Sequence, residues 1–239
     1  MKYLFILFLI FANNFYGQNV RATESLWDLI RSNSNLKYDS ERIEIIKASD
    51  KYNSNQYLIN RLSKNGQRYL YYTVKEGLRK NLPVELSLIP FVESQFDPYA
   101  RSATGASGIW QFIPSTAREN GLKKNWWYDG RRDIVASTEA AYGFLSKLYE
   151  RYGDWLIAIA AYNAGPSRIK KEIEKNKKNG LPTDFWSLNL PRETKAYVPK
   201  ILAIVELIRN PDNFNIQLPF LPNRPYFRII ELPSQVDLM

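Results

Sequence analysis

The chain has 239 residues, 45% hydrophobic and 14% aromatic, enough for one domain with a sizeable core and appendages. It contains no Cys and no His, which removes cysteine nucleophiles, Ser-His triads, histidine acid/base catalysis and the usual zinc ligand sets. A formal net charge of +9, from 33 Lys+Arg against 24 Asp+Glu, favours polyanionic partners such as nucleic acid, an anionic membrane surface or an acidic wall polymer.

In chain order, Met1 to about Gly17 has one early Lys2, an apolar run from Tyr3 to Ala12, then small and polar residues. That is the pattern of a secretory signal over 1–17. The run is shorter than the roughly 20 apolar residues that a membrane span needs. Export argues against nucleic acid as the target of the charge. Residues 18–77 read as a polar arm of short helices, with weak helical periodicity at Leu26, Trp27 and Ile30 and again at Ile43 and Ile46. From Gly66 the pattern strengthens through Tyr69, Tyr72, Thr73 and Glu76 until Asn81-Leu82-Pro83 stops it.

Val84 to Glu93 reads as one apolar helix with an acid at its end, and Asp97-Pro98 breaks the chain after it. A small-residue turn, Thr104-Gly105-Ala106-Ser107-Gly108, leads into Ile109-Trp110-Gln111-Phe112 and on to a stop at Asn120-Gly121. Asp133 can cap a long helix that runs to about Tyr152, and Asp154 caps an all-apolar one from Trp155, which suggests a central helix. Tyr162-Asn163-Ala164-Gly165-Pro166 breaks it, and a basic solvated helix follows to Lys178. Arg192 to Arg209 repeats apolar residues at Tyr197, Ile201 and Val205. The segment 211–239 is Pro-rich and extended, with an alternation at Phe227, Ile229 and Leu232 that would suit one or two strands. The expected class is mostly α, with a helical domain over 78–210.

A carboxylate in apolar company at a helix end, facing a glycine-rich turn, is a candidate acid with a raised pKa, and Glu93 is that residue. A surface Glu at a helix C-terminus would look the same. Gln111, Tyr162, Asn163 and Tyr197 sit beside helix ends or breaks and can hydrogen-bond a sugar's acetamido and hydroxyl groups. Taken singly, each is equally a cap or core residue. Trp110, Trp126, Trp127 and Tyr128 offer flat apolar faces for sugar rings, with ordinary core packing as the alternative for any one of them. The Thr104–Gly108 turn lacks the Lys-Ser/Thr ending of a P-loop, and Asp97, just before Pro98, suits a turn better than a reaction.

Four ordered blocks resemble the soluble lytic transglycosylase catalytic domain. They are Glu93-Ser94 with Phe96-Asp97-Pro98; Gly105 to Phe112 after Ala100 and Ser102; Ala161-Tyr162-Asn163-Ala164-Gly165; and Glu193-Thr194 with Tyr197-Val198. The Trp-Gln-Phe form and the Tyr128 to Asp133 segment resemble the membrane-bound murein transglycosylase D subgroup. The resemblance implies a goose-type lysozyme fold and cleavage of peptidoglycan without water. It implies Glu93 as the acid/base, and Ser102, Gln111, Tyr162, Asn163 and Tyr197 as residues that hold N-acetylmuramic acid and the intermediate. No metal or cofactor is implied. Peptidoglycan strands are the expected partner and a monomer the expected state, in the periplasm or envelope of a bacterium. The subgroup often carries a lipid-attachment Cys and C-terminal LysM repeats. This sequence has neither, which leaves membrane association open.

Overall fold

The computed structural model describes residues 24–230. The signal-like segment 1–17 and the end of the tail, Leu232 included, lie outside the described residues.

Ten helices form among those residues, several with a local cause at one or both ends. Ser25 starts α1 (Leu26–Asn33): its hydroxyl accepts from Trp27 N at 3.3 Å, and Asp28 reaches back to Ser25 N at 3.2 Å. The helix α2 (Ile43–Ser49) follows, and Asn55 then caps α3 (Gln56–Gly66). Next comes α4 (Leu70–Arg79). The chain after Pro83 departs from the expected single helix: Val84–Leu88 winds as a 3₁₀ turn and only Ile89–Glu93 is α-helical, forming α5. Pro90 explains the split, because it lacks an N–H and its ring crowds the carbonyl four residues back.

A short α6 (Pro114–Glu119) closes at Asn120-Gly121. Asp133 then caps α7 (Ile134–Tyr152), accepting from Ala136 N at 2.9 Å, and Gly153 ends it in the left-handed region. Asp154 caps α8 (Trp155–Ala164), whose residues 156–161 are all buried. Apolar all round, α8 is the central helix, against which α7, α9 (Pro166–Lys178) and α10 (Arg192–Arg209) pack.

The arm is tied into the same core. Glu85, fully buried, accepts from Ser34 Oγ at 2.6 Å and from Leu36 N at 2.9 Å, and α2 lies along α10. The tail clasps α1: Leu26 N donates to Leu221 O at 2.7 Å, and Trp27 Nε1 to Pro219 O at 2.8 Å. The mostly helical class is as the sequence suggests. The strands expected in the tail do not form among the described residues. The tail there is extended, with a single isolated bridge, Ser25 to Pro222. Pro219, Pro222 and Pro225 remove the N–H donors a ladder would need.

Candidate active site

Glu93 is the last residue of α5, and the chain turns sharply beyond it. Gln95 and Phe96 both lie in the left-handed region, at φ 54° and 60°, which side chains rarely adopt in succession. Packing holds the strain. The Phe96 ring is buried edge-on against Phe91 at 4.8 Å, and Ser94 N and Phe96 N both donate to Pro90 O. Ser94 Oγ donates to Ile109 O at 2.9 Å, fastening this turn to the glycine-rich one opposite.

The residue is only partly covered, yet its carboxyl is hemmed in by protein. Burial pushes the Glu93 pKa up to about 7, a hydrogen bond from Tyr197 pulls it down, and the charge of Glu193 adds to the rise. The Tyr197 hydroxyl, buried on α10, donates to Glu93 Oε1. Burial and the neighbouring Glu93 charge hold Tyr197 and Tyr162 well above the usual phenol range, so both remain protonated donors at neutral pH. Tyr162 donates to Trp110 O at 2.7 Å, with its ring against Phe112 and Phe144. Beside it, the Asn163 carbonyl accepts from Thr194 Oγ1 at 2.8 Å, joining the end of α8 to the first turn of α10. Glu93, Tyr162, Asn163 and Tyr197 are thus brought together from three helices.

The glycine-rich turn forms the facing wall. Gln111, at φ 48°, uses its amide nitrogen to hold that turn, donating to Gly108 O at 2.7 Å and Ala100 O at 3.2 Å. Ser102 Oγ accepts from Ala106 N at 3.0 Å and shares a hydrogen with Thr104 Oγ1 at 2.8 Å. Gly108 has no substitute: a Cβ there would lie 1.7 Å from Arg131 O. Arg131 is the site's unforeseen member. Its buried guanidinium grips Asp129 through both carboxylate oxygens, at 2.9 and 2.6 Å, and donates to Gly105 O and Phe112 O at 2.8 and 3.3 Å. The Asp129-Gly-Arg131 spacing was its only trace in the sequence. Glu193, quoted above only within a block, likewise had no role until the fold set its charge against Glu93.

Trp110 must be corrected. It is 0% exposed, its indole donates to Thr138 Oγ1 at 3.0 Å and its ring meets Tyr142 edge-on, so it is core and offers no face to a sugar. Trp126, Trp127 and Tyr128 stand on a hairpin joined to the glycine-rich turn through Arg131 and Arg132; none of the described bonds or ring contacts link the two indoles to Glu93. Three other acids of this region are engaged. Asp97 caps Tyr99 N at 2.8 Å, Asp129 serves Arg131, and Asp133 caps α7. Among the described residues, no group of three or more acids gathers as a metal site. Two cavities of about 370 Å³, one beneath the hairpin beside Arg118 and one between α2 and α10, are not lined by Glu93.

A family model described as "Transglycosylase SLT domain" matches residues 71–183. The membrane-bound lytic murein transglycosylase D of Escherichia coli (strain K12) is 40% identical over 223 residues, covering 93% of this chain and 49% of that protein. A protein of Alteromonas sp. (strain M-1) named for tributyltin chloride resistance is 36% identical over 179 residues, covering 74% of this chain and 84% of its own length. An inactive-mutant structure of lytic transglycosylase Slt from Pseudomonas aeruginosa aligns with a TM-score of 0.45 at 27% identity, over 62% of this chain and 24% of that one. The chain spans about half the length of the murein transglycosylase D relatives it matches.

Proposed function

The chain belongs to the transglycosylase SLT family, and from that membership we propose that it is a peptidoglycan lytic transglycosylase acting in wall remodelling or turnover. It cleaves the β-1,4 bond between N-acetylmuramic acid (MurNAc) and N-acetylglucosamine (GlcNAc), and leaves 1,6-anhydroMurNAc ends. The observation that carries this reading is Glu93, the acid held by the buried Tyr197 hydroxyl, with a pKa of about 7. An acid that must first give and then take a proton works best with a pKa near the working pH.

The protonated Glu93 gives its proton to the glycosidic oxygen as the bond from MurNAc C1 breaks, and the bonding pair leaves with GlcNAc O4. The substrate's own acetamido oxygen closes on C1 and takes up the positive charge. Glu93, now a carboxylate held by the Tyr197 hydroxyl, removes the proton from the MurNAc C6 hydroxyl. O6 then attacks C1 and displaces the acetamido oxygen, which closes the anhydro ring and returns Glu93 to its acid form. No water is consumed. Tyr162, Asn163, Gln111 and Ser102 serve as sugar-holding groups in this reading. The reading includes export to a bacterial envelope, where the positive charge meets an anionic wall polymer.

A hydrolytic muramidase on the same fold is the second reading, because the charge of Glu193 reaches Glu93. Hydrolysis by carboxylates ordinarily uses two of them. Mass spectrometry of fragments released from purified peptidoglycan decides between the two. Anhydro ends, lighter by one water than hydrolytic ends, are expected. Predominantly reducing ends would overturn the lytic reading and make Glu193 or Asp97 the partner that activates water.

A further inference from the structure

Residues 123–130 make a tight hairpin whose tip carries Trp126 and Trp127, 88% and 90% exposed and barer than any other large apolar side chain described. The tip is held firmly. Asn125 N donates to Tyr128 O at 2.8 Å and Gly130 N to Lys123 O at 2.9 Å. The Asn125 side-chain oxygen accepts from Trp127 N and Tyr128 N at 2.9 and 2.8 Å. Behind it, Asp129 is locked to the buried Arg131. Two indoles left almost wholly in water on a backbone pinned by that many bonds are displayed to something outside the described chain.

The geometry selects what they meet. The two rings lie edge-to-face, 6.5 Å apart and at 87°, so they form a wedge and share no plane on which successive sugar rings could stack. No wall rises beside them, as their exposure shows. A wedge of indoles suits the headgroup level of a bilayer, where one side of the ring is apolar and its N–H stays wet. The charges agree. Lys123 and Lys124 flank the tip and Arg118 stands at the cavity beneath it, and none of the three has an ion-pair partner among the described residues. The acids of the hairpin and its base are engaged, Asp129 on Arg131 and Asp133 on Tyr128 and the first turn of α7, which leaves Glu119 beside Arg118 as the one exposed carboxylate near the end of α6.

We infer that the 123–130 hairpin is an interfacial anchor: Trp126 and Trp127 seat in the headgroup region of an anionic bilayer, and Lys123, Lys124 and Arg118 lie over its phosphates. No helix among the described residues is long and apolar enough to span the membrane. Arg131 at the hairpin's base also holds Gly105 O and Phe112 O, so the anchor is fastened to the glycine-rich turn. This inference is independent of the reaction Glu93 performs.

The test uses the full chain with large unilamellar vesicles. It should co-sediment with equimolar phosphatidylglycerol and phosphatidylcholine and stay in solution with phosphatidylcholine alone, and added salt should weaken the binding. Brominated acyl chains should quench its tryptophan emission. Trp126→Ala with Trp127→Ala should weaken binding at least ~10-fold, and Lys123→Gln and Lys124→Gln about fivefold each, with thermal unfolding as the folding check. If the double variant does not fold, quenching of the unaltered chain decides. Absence of binding to anionic vesicles overturns the inference, as does binding that ignores the tryptophan changes. So does a chain that ignores vesicles but pellets with insoluble peptidoglycan through these two residues, which would make the tip a glycan platform.

Discussion

Replacing Glu93 with Gln separates the acid's chemistry from the burden of its charge. The side chain has an ordinary pKa of 4.5 and a native one of about 7, so the folded protein binds this proton more tightly than the unfolded chain does. A raised pKa contributes stability that is complete below pH 4.5 and is lost as pH rises through 7. At ~1.4 kcal/mol per pH unit, that interval amounts to about 3 kcal/mol. The amide has nearly the same shape, keeps an oxygen for the Tyr197 hydroxyl and stays neutral throughout. Urea unfolding of both proteins from pH 4 to pH 9 should therefore give equal stabilities at the acid end. Above it the variant should draw ahead, to a plateau of about 3 kcal/mol beyond neutrality. The same variant should lose lytic activity by ~10²–10⁴-fold, since an amide neither gives nor takes the proton. A stability difference that stays flat across the range would refute the burial argument, whatever the activity did.

Tyr197→Phe removes the bond that favours the charged carboxylate, so the Glu93 pKa should rise. The alkaline limb of kcat/KM should move up by about one to two pH units with a lower maximum, and an unmoved limb would show that the contact is idle. Gly108→Ala should cost more than about 4 kcal/mol, because the new methyl meets the Arg131 carbonyl. Gly121→Ala, at a similar φ but with open space around it, should cost only about 1–2 kcal/mol. Thermal melts of the pair check the contrast.

The helix boundaries that could be read from the sequence are those with local causes. Asp133, Gly153 and Asp154 act within three or four residues of themselves, so α7 and α8 stand where their caps put them. Pro90 is as local and does split the run, but the apolar pattern continues through it and so reads as one helix. Trp110 shows a deeper limit. Its neighbours along the chain are those of a binding platform, and only the arrival of Thr138 and Tyr142 buries it. Glu93 was identifiable because its apolar company is in its own helix. The family resemblance marks Tyr197 as a sugar-holding residue, but that it places its hydroxyl on Glu93, 104 residues away, is visible only in the fold. Arg131 left almost no trace, because two of its partners are backbone carbonyls, which every residue possesses and no sequence distinguishes.

The clasp between α1 and the tail bears on the order in which the molecule can be assembled. A chain made from its N-terminus produces Leu26 and Trp27 early, but the carbonyls they need belong to Leu221 and Pro219. Until almost the whole described chain has emerged from the ribosome, α1 has nothing to close against, and its apolar residues must wait on the rest. Contacts this distant along the chain are slow to form, since the entropy of closing the loop is lost before any bond repays it. The helices that pack on α8, namely α7, α9 and α10, can condense before then, which makes docking of the first helix on the last segment a late event in folding.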